Sequence, residues 1–133
     1  LIQSLTHLPA ELGLKVVLYG DPDMDPAYVE RLRTIARVVP HSVEFKGVFP
    51  ERSFGDILRD IDIVVLPSIW MENRPLTLLT ALHARRPVIV SDMPGMTCEV
   101  TDGENGLVVP PGDAPALGEA LAALARDRAL RHA

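Results

Sequence analysis

The 133-residue chain holds a single cysteine, Cys98, which excludes an internal disulfide framework and any cysteine-based zinc site. Lysine is equally scarce: only Lys15 and Lys46 among thirteen cations, against eighteen carboxylates and a net charge of −5. A phosphate-backbone footprint needs clustered cations, so no nucleic-acid partner is expected. No apolar run approaches the ~20 residues that span a bilayer, and the opening residues do not read as a signal segment. Neither G-x-G-x-x-G nor G-x-x-x-x-G-K-[ST] occurs, which removes the familiar dinucleotide and P-loop signatures. Ser68 and Ser91 lie outside any G-x-S-x-G elbow, and the four histidines are scattered without metal-ligand spacing. What remains is 47% hydrophobic and 23% charged, the composition of an ordinary globular protein. The expectation is one soluble, cytoplasmic α/β domain covering residues 1–133.

Short apolar runs alternate along the chain with stretches of helical period. Leu1, Ile2, Leu5 and Leu8 read as the tail of an amphipathic helix entered from upstream, so a fragment of a longer protein is expected. Strands are predicted at 15–19, 42–48, 61–66, 87–90 and 106–109. Between them lie helices from Pro26, capped by Asp25, over 51–60, over 75–84 and near Thr97; Asp113 caps a closing alanine-rich helix. Strands that are apolar nearly throughout, joined by helices, indicate a Rossmann-like, doubly wound parallel sheet covered on both faces. Ligands of such sheets bind beyond the carboxyl ends of the strands.

The richest of those loops is Pro67-Ser-Ile-Trp-Met-Glu-Asn-Arg-Pro75, which sets a carboxylate, an amide and a guanidinium at the start of a helix. Unpaired backbone N–H groups and the positive end of the helix dipole make this a natural site for phosphate or diphosphate. The amides near Arg74, Leu76 and Thr77 form the expected cradle, with Glu72 facing sugar hydroxyls rather than the anion. A purely structural role fits the same residues: Asn73 would cap the helix and Glu72 would complement its dipole.

From Ile61 to Leu82 the chain resembles the retaining GT-B glycosyltransferases of family 4 (group 1), and the likeness continues through Arg86–Asp92, Gly95-Met96 and Asp102–Pro111. The resemblance implies one half of a GT-B architecture, the C-terminal, donor-binding half of a two-domain enzyme. It implies transfer of a sugar from a nucleotide-sugar donor, with retention, to a glycan, lipid or small-molecule acceptor held by a missing N-terminal domain. Peripheral membrane contact through that half is compatible with it. Glu72 matches the first glutamate of the family's E-x(7)-E motif, which addresses the donor sugar. Asn73, Arg74, Leu76 and Thr77 match the stretch whose backbone meets the diphosphate, and Gly47 and Val48 match the loop against the nucleobase. No cofactor and no metal are expected.

The departures are specific. Thr80 stands where the second glutamate of the motif would hold the ribose. Arg85 and Pro94 replace glycines, and Cys98, next to Glu99, replaces a glutamate. The family's first strand, with its Gly-Arg and nearby lysine, is not in this chain. Arg74 or Lys46 is left as a candidate substitute for those cations. In the family's order, 3-2-1-4-5-6, that strand is central, so its neighbours would flank a gap of about 10 Å. Buried unpaired backbone there is costly, and either the strands close up or another segment fills the slot. The alternative function is a non-catalytic binding or assembly module of the same fold that has lost donor chemistry.

Overall fold

The computed structural model describes residues 1–49 and 54–127. A 3₁₀ helix over Ile2–His7 opens it, with Ile2, Leu5 and Leu8 buried. An α-helical tail is expected from these leucines, but a spacing of three suits the tighter helix, where residues i and i+3 eclipse. A second 3₁₀ turn, Ala10–Leu12, leads into β1 (Lys15–Tyr19), α1 (Pro26–Ala36) and β2 (Ser42–Gly47). Then come α2 (Phe54–Arg59), β3 (Val64–Leu66), α3 (Leu76–His83), β4 (Val88–Ser91), α4 (Pro94–Thr97), β5 (Leu107–Val109) and α5 (Ala114–Arg126). The start of the helix expected over 51–60 lies outside the described residues. Both anticipated caps form: the Asp25 carboxylate accepts from the Tyr28 N–H at 2.8 Å, and Asp113 accepts from the Ala116 N–H at 2.9 Å.

All the strand pairs are parallel, as the pattern requires, but the ladder is in two parts. β1 pairs with β2, and β3, β4 and β5 form a second sheet in that order. Among the described residues, β1 and β3 therefore neither pair with each other nor receive a strand between them. The two edges are not sealed within the core: no residue of β1 is fully buried, and two of the three in β3 are only half-buried. Water can then serve the backbone groups that burial would orphan.

Among the described residues, side-chain packing rather than strand pairing joins the two sheets. One apolar cluster contains Ile2, Leu5, Leu117, Leu121 and Leu124 and receives Val16 and Phe45 from one sheet and Val65 and Leu107 from the other. β4, buried at all four residues, shows why the sheet must be covered twice. Its Ile89 enters that cluster, while Val88 and Val90 enter a second one with Leu58, Leu78 and Met96, contributed by α2, α3 and α4. Alternate residues of a strand face opposite sides, so the 3₁₀ helix and α5 cover one face of the sheet and α2 to α4 the other.

Arg85 shows why the resemblance carries a glycine at its position. It follows α3 with φ at +52°, its N–H donating to Leu82 O at 2.9 Å and the next N–H, Arg86, to Ala81 O at 3.0 Å. That is a helix end built on a left-handed residue, where a Cβ is unfavourable. Arg85→Gly is expected to stabilise the protein by about 1 kcal/mol despite glycine's greater freedom when unfolded. Urea unfolding that shows a loss instead would mean the Arg85 side chain contributes more than its strain.

Candidate functional site

Because β3 and β4 run parallel, the loop from Pro67 to Pro75 and the turn at Asp92-Met93 leave the same end of the sheet. The loop rests on α4 through Gly95. A Cβ there would overlap the carbonyl oxygen of Glu72 and lie 2.7 Å from its carbonyl carbon and 3.2 Å from the Arg74 nitrogen. Arg74 itself adopts φ +38°, and its guanidinium forms an ion pair with the Glu99 carboxylate beyond the end of α4. The Cys98 thiol and then the Glu99 carboxylate favour the charged guanidinium and push its pKa up. Backbone contact and ion pair together pin the loop to the helix below it.

Above that support the Glu72 carboxylate is half-buried and directed by two donors from its own loop. The Ser68 hydroxyl donates to Oε1 at 3.0 Å and the Trp70 indole N–H donates to the same atom at 3.1 Å. α3 begins immediately afterwards, without a side-chain cap, on Pro75. Asn73 is thus not a cap, which removes the structural role open to it from sequence. The N–H groups of Leu78 and Leu79 turn back to the Pro75 carbonyl, and those of Leu76 and Thr77 have no partner among the described residues. The corner is open: Trp70, Met71 and Leu76 are 65%, 80% and 74% exposed. Thr80 lies one turn in, its hydroxyl donating to Leu76 O at 2.8 Å, so its proton is committed to the helix.

Gly47 and Val48 form a second, separate group at the end of β2. The register slips between Leu18 and Tyr19, so that Tyr19 faces Gly47, whose φ of +72° suits a residue without a Cβ. Val48 is exposed, and the Tyr19 ring meets Phe49 edge-on at 5.2 Å, which in turn stacks on Phe54 at 5.1 Å. Among the described residues no hydrogen bond, ion pair or ring contact links this group to Glu72. Lys46 is engaged locally: Glu44 lies 3.0 Å from its ammonium and 2.8 Å from that of Lys15. Lys15 first and Lys46 second lower the Glu44 pKa, and Glu44 raises that of Lys46. Both cations left open from sequence, Arg74 and Lys46, are therefore already paired with carboxylates.

Glu72, Asn73, Arg74, Leu76, Thr77 and Thr80 lie around one corner, as their contiguity or one-turn spacing requires, while Gly47 and Val48 lie apart from it. Sequence reasoning misses Ser68 and Trp70 as partners of Glu72, Glu99 as the partner of Arg74, and the aromatic group beside Gly47. The offsets of four and two before Glu72 are visible in the sequence, but only a curled loop turns them into donors. Among the described residues no three His, Cys, Asp or Glu side chains gather closely enough to hold a metal ion, and no helix is long and apolar enough to cross a membrane.

Residues 1–127 match the family described as "Glycosyl transferases group 1". The phosphatidyl-myo-inositol mannosyltransferase of Mycobacterium leprae is 34% identical over 102 residues, 77% of this chain and 27% of that protein. Anabaena Alr3699/HepE in complex with UDP-glucose superposes over 99% of this chain and 36% of its own, with TM-score 0.88 and 21% identity, a likeness of fold. The C-terminal domain of a group 1 glycosyl transferase family protein (LpcC) from Francisella tularensis covers 82% of this chain, at 26% identity and TM-score 0.72. The chain thus spans about a quarter of the curated relative and about a third of the Anabaena chain.

Proposed function

The chain belongs to the group 1 glycosyltransferases, and we propose that it is the nucleotide-sugar-binding domain of a larger, two-domain retaining enzyme. The observation that carries this reading is the uncapped, solvent-open start of α3 with a carboxylate fixed at its edge. In the reading, the free N–H groups of Leu76 and Thr77 and the dipole behind them receive the donor diphosphate. Charge grows on that leaving group as the glycosidic bond breaks, so donors fixed in place stabilise the transition state more than the ground state. Glu72 accepts from donor-sugar hydroxyls and orients the anomeric carbon, while Gly47 and Val48 lie against the base. The acceptor comes from the other half of the protein.

A second reading, a binding module without donor chemistry, is favoured by the cations: Arg74 and Lys46 are both neutralised within the domain. Thr80, short and turned to its own helix, offers the ribose little. Calorimetric titration of the full-length protein with UDP, GDP and ADP, and with their sugar conjugates, separates the two. UDP is the first to try, since the similarly folded Anabaena protein was solved in complex with UDP and with UDP-glucose. One nucleotide should bind more tightly than about 1 mM, the weak end of ordinary substrate affinities. Weaker binding of all of them would leave the module reading standing and remove the transferase one.

A further inference from the structure

We propose that Ser68 and Trp70 are positioning residues that together occupy one oxygen of the Glu72 carboxylate and so reserve the other, Oε2, for the donor sugar; this rests on the reading of Glu72 as the sugar-facing group. Both donors meet Oε1, at 3.0 and 3.1 Å, and no donor among the described residues meets Oε2. An ionised carboxylate offers about four lone-pair positions, roughly two to each oxygen, so two donors saturate Oε1 and leave Oε2 as the acceptor. They also fix the plane of the carboxylate, because the hydroxyl comes from Ser68, just beyond β3, and the indole from Trp70, out on the loop.

A merely structural role does not account for this pairing. The loop is already held by the Arg74–Glu99 ion pair and by the close approach of Glu72 to Gly95. Trp70 is largely exposed, so its N–H could hydrogen-bond water at no loss, yet it is directed at a carboxylate two residues away. What the two bonds do is remove freedom from the Glu72 side chain before a ligand arrives. A catalytic or binding group gains from such preorganisation because the ordering is completed in advance.

The test uses the full-length protein with Ser68→Ala, Trp70→Phe and the pair, each made in the Glu72 and the Glu72→Ala backgrounds. Trp70→Phe keeps an aromatic ring and removes only the N–H. Transfer from the nucleotide-sugar is the first readout and affinity for the sugar-free nucleoside diphosphate the second. Each single change should lower kcat/KM about tenfold, as loss of one hydrogen bond to a charged group does, and the diphosphate Kd should not move. In the Glu72→Ala background both changes should have no further effect. An equal loss in both backgrounds, unchanged transfer, or a matching loss of diphosphate affinity would overturn the proposal. If Glu72→Ala itself leaves transfer intact, it is the reading of Glu72 that fails, and the positioning role goes with it.

Discussion

Glu72→Ala in the full-length protein is expected to lower kcat/KM for sugar transfer by roughly 10- to 100-fold, the range set by hydrogen bonds to an ionised group at about 1.5–3 kcal/mol. The fold should lose much less. Among the described residues the Glu72 carboxylate accepts only from Ser68 and Trp70, both close enough to solvent for water to take its place. The Arg74–Glu99 pair and the packing of the loop on Gly95 do not involve its carboxylate. Unfolding should therefore shift by under about 1 kcal/mol, as for other surface changes. Affinity for the sugar-free diphosphate is expected to stay the same or rise slightly, since a carboxylate near the anion is removed. An unchanged kcat/KM takes Glu72 out of the site.

Gly95→Ala is the reverse case, a change of one methyl group with no chemistry of its own. The new Cβ would occupy the space of the Glu72 carbonyl oxygen, with that residue's carbonyl carbon 2.7 Å away. Neither neighbour is the free end of a side chain, so the loop or α4 must move as backbone. Overpacking of this kind costs about 1–3 kcal/mol and occasionally more, and the upper end is expected here. Urea unfolding reads that loss directly, and Gly55→Ala is the control: it lies in α2 with nothing within 4 Å of the added atom. Because the displaced segment carries Glu72 and Arg74, transfer should fall together with stability. A Gly95→Ala protein as stable as the parent would mean that the loop and α4 are not in contact in solution.

The two changes divide the corner into what it does and what holds it, and the division follows the chain. Secondary structure was legible almost throughout. Asp25 and Asp113 cap their helices because a short acidic side chain before a helical run has one obvious donor to reach. The apolar run of β4 told that both its faces are covered, and Ile89 against Val88 and Val90 shows how. The Pro67–Pro75 loop could be singled out because its residues are neighbours in sequence at the end of a strand. Even the left-handed Arg85 was marked, by a glycine missing from the pattern it resembles.

Sequence by itself determined the elements, their parallel pairing and the loop that opens α3 at the end of the sheet, since each depends on local spacing, propensity and the burial that periodicity encodes. Only the tertiary structure decided which charges are spoken for and which atoms of Glu72 are free. Glu99 reaches Arg74 across 25 positions, and Gly95 supports Glu72 across 23, through a sheet that sets both loops at one end. The break in the ladder between β1 and β3 was decided there too: side-chain packing from the 3₁₀ helix and α5 spans the two sheets, and no residue of β1 is fully buried. Contacts of that kind depend on distance in space, which spacing along a chain does not encode.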